Sequence, residues 1–165
     1  GIPRHIDISF VGSIDGYGDR EGYVRSLKTS THHFIRDGGQ RENNLTPEQY
    51  ARIMQSSKIS LSFSRTRNQR QQTKGRVWEV TMCGAMLMED ENSGTAMWYE
   101  PNKDYVTFNS VPDLMQKVNH YLSHPEQMAE IAANGKKKAD LYYNAKNWWS
   151  VIFKRCGIKL PQPDH

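Results

Sequence analysis

The chain has 165 residues, 36 % of them hydrophobic and 10 % aromatic, which fits one ordinary domain with a single core and leaves no room for a second of equal size. Lys and Arg number 22 against 18 acids, a net charge of +4 that suits an anionic ligand and equally suits a plain solubilising surface. The two cysteines, Cys83 and Cys156, form no CxxC or Cys/His ligand spacing and the six histidines no HxxxH or HExxH pattern, which argues against a disulfide framework and against a zinc site.

The elements follow in order. Residues 6–12 (IDISFVG) form a short apolar run rich in β-branched and aromatic residues, a buried strand that ends in glycine. A Gly-rich turn over 13–18 and a helix over 19–28 come next. Residues 33–35 suit a second strand, closed by the turn signal Asp37-Gly38-Gly39. Thr46 then reads as an N-cap, Pro47 as the first helical residue and Gln49 as the residue reaching back, so a helix covers 47–57 with Tyr50, Ile53 and Met54 inward. Residues 58–64 (KISLSFS) alternate apolar and polar, which predicts a strand. Residues 64–73 (SRTRNQRQQT) have almost no apolar side chain and read as a loop.

Beyond it, residues 74–83 suit a helix ended by Gly84, then 85–88 (AMLM) and 105–108 (YVTF) are strands. Ser110 caps a helix with Val111, Leu114, Val118, Tyr121 and Leu122 at helical spacing. Pro125 opens a last helical region, loosened at Asn134-Gly135, that runs to about residue 153; the tail LPQPDH frays. No stretch approaches the ~18 apolar residues of a membrane span, and the opening GIPRHIDISFVG is too short in apolar residues for a signal peptide. A soluble, cytoplasmic setting with both thiols reduced is the expectation.

Strands separated by helices throughout predict an α/β fold: a doubly wound, mostly parallel sheet with helices on both faces and residues 58–64 and 85–88 as neighbouring inner strands. Ligands of such sheets sit at the carboxyl ends of the strands, which puts the loops at 12–20, 36–40, 64–76 and 89–95 on one rim.

On that rim, Arg65, Arg67, Arg70, Lys74 and Arg76 bring five positive charges together. Gly75 permits close backbone approach, and the N–H groups opening the next helix favour an anion. Together these suit a diphosphate, although a solvated basic loop has the same charge pattern. Glu79, one turn into that helix, could accept two hydrogen bonds from a ribose diol; taken alone it also fits a surface glutamate. Ser93 and Gly94 offer a second helix start, or a plain turn.

The run from KISLSFS through KGRVWEVTMCGAMLMED, NKDYVTF, DLMQKVNHYLSHP and IAANG resembles the CgeB-like branch of group 1 glycosyltransferases, and covers about half the chain without a break. IDISFVGS is similar to that family's first strand. The resemblance implies the carboxy-terminal half of a GT-B enzyme, a Rossmann-like domain over residues 1–153 with a tail over 154–165, holding a nucleoside-diphosphate sugar without a metal or other cofactor. It implies that Glu79 binds the ribose hydroxyls, that Lys74, Gly75 and Arg76 lie on the diphosphate, and that Arg20, with Gly12 and Ser13, touches phosphate from the first glycine loop. Lys74 and Arg76 would stabilise the departing diphosphate and so carry the catalysis. Two departures stand out: Gln71 replaces the glutamate that the wider superfamily carries eight positions before the ribose-binding one, near the donor sugar, and Ser62 stands where nearer relatives carry Asn. The terminal aromatics Trp148, Trp149 and Phe153 resemble the family's last helix and read as packing residues.

The leading expectation is therefore the donor-binding half of a glycosyltransferase, its acceptor unknown and its amino-terminal acceptor domain lying outside this chain. The alternative is a non-catalytic nucleotide or nucleotide-sugar binding module. Nucleic-acid binding is not expected, because the basic loop has no interleaved aromatics.

Overall fold

The structure of the chain is a computed structural model that describes residues 2–37 and 45–158. The Gly38-Gly39 turn and the LPQPDH tail lie outside the described residues. The elements are β1 (Ile6–Val11), α1 (Arg20–Lys28), β2 (Phe34–Asp37), α2 (Pro47–Ser56), β3 (Ser57–Ser62), α3 (Gly75–Met82), β4 (Met86–Asp90), α4 (Ser93–Ala96), β5 (Val106–Phe108), α5 (Val111–Ser123), α6 (Pro125–Tyr142) and α7 (Ala145–Arg155). All five strands are parallel, in the order β2-β1-β3-β4-β5, so β3 and β4 are the neighbouring inner strands expected.

Local chemistry fixes the helix ends. Thr46 and Gln49 form a reciprocal capping box at α2, and the Ser110 hydroxyl accepts from Asp113 N at α5. Gly84 follows α3 at φ +71°, the left-handed turn that glycine adopts without a Cβ clash, and its N–H donates to Thr81 O at 2.9 Å.

The two sheet faces differ in character. One carries Ile8, Phe10, Ile59, Leu61, Phe63, Met86, Met88, Val106 and Phe108 into a single apolar cluster with α1, α5 and α6. The other sets Leu87 against Met54, Val77 and Val80. The three serines of KISLSFS are buried too, in keeping with a sheet covered on both faces. Ser60 hydrogen-bonds Ser9 at 3.1 Å and Ser62 donates to Glu89 at 3.1 Å, so the hydroxyls are satisfied across the strands.

The carboxy-terminal helical region differs from expectation in three ways. It does not loosen at Asn134-Gly135: α6 runs straight through Gly135, which is buried. The break comes at Tyr143 and Asn144, where the Asn144 side chain accepts from Asn147 N at 2.8 Å and starts a separate helix. That helix, α7, continues to Arg155, past the expected end at residue 153. Thirdly, Trp148 and Trp149 are about half exposed, at 51 % and 55 %, and α7 buries no residue. It packs against α6. Trp149 stacks on the half-buried Phe153 with ring centres 5.5 Å apart. Among the described residues, no helix is long and apolar enough to cross a membrane.

Gly135 is the contact on which α6 closes. A Cβ there would lie 2.5 Å from the Asp104 carbonyl oxygen and 3.2 Å from Thr81 Cγ2. Alanine gains ~1 kcal/mol of helix propensity over glycine, but the backbone it would strike cannot step aside as a side chain can. Gly135→Ala is therefore expected to lose about 1–2 kcal/mol net in urea unfolding, and equal or higher stability would show that α6 shifts freely on the sheet.

Candidate functional site

Parallel strands deliver the loops after β1, β3 and β4 to one edge, where Gly12, Ser13, Arg20, Lys74 and Arg76 come together. Lys74 is the N-cap of α3 in extended backbone, and no side chain caps the helix. Val77 N donates to Lys74 O at 3.1 Å, and the N–H groups of Gly75 and Arg76 at the helix start are left to favour an anion. A pocket of about 220 Å³ opens at this point, lined by Gly12, Ser13, Arg20, Ser62, Lys74 and Arg76 among others.

Arg76 and Glu79 are joined through a residue the sequence left in the core. Tyr50 on α2 donates its hydroxyl to Glu79 Oε2 and accepts from Arg76 Nε at 3.3 Å. The Arg76 guanidinium lies 5.6 Å from the Tyr50 ring centre and 5.7 Å from that of Phe10, near the ~6 Å reach of a cation–π contact. Burial, opposed by Arg76 and assisted by Glu79, pushes the Tyr50 phenol up to about 12, so it stays a donor at any physiological pH. Glu79 turns back over the helix start, with Oε1 3.4 Å from the place a Gly75 Cβ would take. Gly12 gives Arg76 its space: a Cβ at residue 12 would lie 3.0 Å from Arg76 Nη1.

Arg20 reaches the rim as a brace and not as an open cation. It is only 6 % exposed. Nη1 donates to Ser13 O at 2.7 Å and Nη2 to Arg65 O at 3.0 Å, while the guanidinium lies 4.1 Å from the Tyr17 ring centre and 5.1 Å from that of Phe63. The loops after β1 and β3 are tied together by this one side chain. Burial lowers its pKa, with Tyr17 and Asp90 acting against that.

The segment expected as a loop folds into a small hairpin. Arg65 pairs with Gln71 as an antiparallel bridge, Thr66 N donates to Arg70 O at 2.9 Å, and Gln72 N donates to Ser64 O at 3.1 Å. Asp90 holds its base, accepting from both Ser64 N and the Ser64 hydroxyl. Gln71 donates its amide to Glu91 O. Arg67 and Arg70 are carried outward on the exposed tip, and Arg67 passes 5.3 Å from the Tyr17 ring centre.

Ser93 and Gly94 do not form the open anion site suggested for them. The Asn92 side chain accepts from Gly94 N at 3.1 Å, a local hydrogen bond that pre-empts any ligand, and α4 has only four residues. Gly94 instead lets Thr73 approach, since a Cβ there would lie 2.5 Å from Thr73 Oγ1.

Lys74 Nζ donates to Arg65 O at 3.2 Å and lies 5.5 Å from the Tyr17 ring centre. Burial, then Arg20 and Arg76, pull its pKa down to about 8, while Asp90 and Glu89 resist. Glu89, which carries no site signal in the sequence, occupies the interior because β4 runs two residues beyond the AMLM segment. Among the described residues, no group of three or more His, Cys, Asp or Glu side chains is placed to hold a metal ion.

The chain belongs to the glycosyl transferase-like family, whose profile matches residues 4–154. No curated protein matches it. Among solved structures, the Anabaena protein Alr3699/HepE in complex with UDP-glucose is similar at a TM-score of 0.67 and 14 % identity, over 94 % of this chain and 42 % of that one. The carboxy-terminal domain of the group 1 glycosyl transferase LpcC from Francisella tularensis matches at 0.62 and 9 % identity, over 87 % and 89 %. An α1,3-fucosyltransferase with GDP-fucose matches at 0.63 and 12 % identity, over 78 % and 38 %. The fold is thus a Rossmann-like α/β fold that matches GT-B glycosyltransferase structures. The chain spans about two fifths of the HepE and fucosyltransferase chains.

The pocket's charge has a thermodynamic signature. An unfolded Lys keeps its proton to about pH 10.5, whereas folded Lys74 releases it near 8. Between those values the unfolded state binds more protons, so this group's contribution to stability rises with pH there, and below pH 8 the buried charge is a standing cost. Lys74→Met is expected to be more stable than the parent below pH 8, by a margin that shrinks toward pH 10.5. Urea titrations showing a constant margin over that window would refute the assignment.

Proposed function

We propose that this chain is the donor-binding half of a glycosyltransferase that moves a sugar from a nucleoside diphosphate to an acceptor held elsewhere in the protein. The observation that carries this reading is the first turn and a half of α3. Within six residues it presents a cation, an uncapped helix N-terminus, a second cation and a carboxylate, at Lys74, Gly75, Arg76 and Glu79. Residues 75 and 79 lie one helical turn apart and share a face, about 6 Å along the axis, a separation that suits a diphosphate and the ribose beside it.

In this reading Glu79 accepts hydrogen bonds from the ribose diol, with Tyr50 fixing its rotamer from behind. Arg76 and Lys74 face the two phosphates with the helix N–H groups. As the bond from the anomeric carbon to the diphosphate oxygen breaks, negative charge grows on that oxygen, and donors already in place there stabilise the transition state more than the ground state. Gly12 and Ser13 give the diphosphate a close approach to backbone, and Arg20 holds that loop in position. No step needs a metal. The UDP-glucose and GDP-fucose complexes of similar folds support a nucleoside-diphosphate sugar as the ligand class.

One observation favours the narrower reading of a donor-binding module without transfer. The superfamily's sugar-facing acid is Gln71 here, and its amide is engaged with the Glu91 carbonyl. Release of free sugar from UDP- and GDP-sugars, or transfer to an acceptor by the full protein, separates the two readings.

Glu79→Ala is expected to weaken nucleoside diphosphate binding by about 1.5–3 kcal/mol through lost charge-assisted hydrogen bonds, and to leave inorganic pyrophosphate almost unaffected. Arg76→Ala is expected to weaken both. Calorimetric titration finding equal nucleoside diphosphate affinity for the parent and a folded Glu79→Ala protein would remove the ribose assignment and leave a simple anion site.

A further inference from the structure

One carboxyl near the donor site has no task in that reading. Glu89 on β4 is 0 % exposed and pairs in register with Ser62 of β3. Its Oε1 accepts from the Ser62 hydroxyl at 3.1 Å, and the Thr95 hydroxyl of α4 also serves it. Its other oxygen, Oε2, has no hydrogen-bond partner among the described residues. A buried carboxylate with one oxygen unserved by protein donors is poorly stabilised as an anion, and binding a proton relieves that deficit.

The groups acting on it come from every neighbouring element. Asp90 follows it on β4 and repels its charge; Lys74, at the start of α3, attracts it; Tyr105, just before β5, feels its charge and has a buried hydroxyl that is also unpartnered. Burial is the largest influence, and with Asp90 it lifts the Glu89 carboxyl to about 7 against the pull of Thr95, Ser62 and Lys74. Glu89 and Lys74 therefore both change charge close to neutrality, and each biases the other.

We propose that Glu89 is a proton-storing positioning residue: an anionic diphosphate settling on Lys74 drives one proton from solvent onto the Glu89 carboxylate, which removes a competing negative charge from behind the lysine. The step balances as a carboxylate plus a proton giving a carboxylic acid, with the lysine remaining an ammonium. Linkage makes the coupling reciprocal. An anion that promotes protonation of Glu89 binds more tightly when Glu89 is already protonated. The inference rests on the donor-site reading and adds a charge-bearing member to it that does not touch the ligand.

The test is calorimetric titration of the full chain with UDP and with inorganic pyrophosphate at pH 7, in buffers of differing ionisation enthalpy. The dependence of the measured heat on the buffer counts the protons taken up. The parent is expected to take up roughly half a proton per ligand. Glu89→Gln keeps the shape and removes that titration, so its uptake at pH 7 is expected to fall to the smaller share that Lys74 contributes while binding persists. At pH 8.5 both proteins are expected to show uptake from Lys74. Between pH 6.5 and 8 the parent's affinity for UDP is expected to fall about 3–10-fold more than that of the variant. Ligand ionisation is common to both proteins and cancels in the comparison.

Ser62→Ala supplies a second route if Glu89→Gln fails to fold. Loss of a hydrogen bond that favours the ionised form raises the Glu89 pKa, and the uptake maximum is expected to move to higher pH. Equal proton uptake by parent and Glu89→Gln, or an unmoved maximum in Ser62→Ala, overturns this inference alone. Failure of the parent to bind either ligand overturns the donor-site reading beneath it.

Discussion

Parallel strands cannot be joined by hairpins, so between one strand and the next the chain must cross back over a face of the sheet before it can start again. All five strands here obey that requirement. Every loop that follows a strand therefore leaves from the same edge, and every crossover helix begins near it. The meeting of Gly12, Ser64, Lys74 and Asp90 follows from this arrangement, although the residues are far apart in sequence. The positive character of the edge has two sources that reinforce each other, the helix start at α3 and the Lys and Arg side chains around it.

Given that edge, the site depends on how the two faces behind it are filled. The aliphatic and aromatic face under α1, α5 and α6 supplies a rigid floor, with Phe10, Phe63 and Phe108 packed edge to face. The opposite face carries Ser9, Ser60 and Ser62 in the centre of the sheet. Small side chains there leave space for polar atoms beneath the α3 and α4 starts, and Glu89 uses it. Glu89 and Lys74 act on each other, so the interior acid and the cation at the rim belong to one electrostatic unit.

Much of this was legible along the chain. Strand positions followed from apolar runs, the α2 start from Thr46, Pro47 and Gln49, and the grouping of Lys74, Gly75, Arg76 and Glu79 from spacing on one helix. The placements that escaped are long-range or depend on local competition. Tyr50 carries only a core signal in its own helix; its role comes from Glu79, 29 residues away. Glu89 follows an apolar strand and resembles the start of a loop until β5 pairs beyond it and extends β4 inward. Ser93 and Gly94 looked open because the sequence does not tell whether Asn92 will turn onto its own backbone. Gly135 read as a weak point for the same general reason: a helical glycine and a close backbone approach look alike until the neighbour at Asp104 is known.

The brace at Arg20 has a consequence for how such a chain can change over generations. Its two hydrogen bonds end on main-chain carbonyls, at residues 13 and 65, and a carbonyl is supplied by any amino acid. Substitution at either position leaves the acceptor in place, so the tie between the two loops is invisible to any method that looks for paired changes in side chains. The constraint falls on Arg20 itself and on the rings of Tyr17 and Phe63 that sandwich it. Residue 13 borders the pocket, so the loop there is anchored through its main chain and not through the side chain it presents to a ligand.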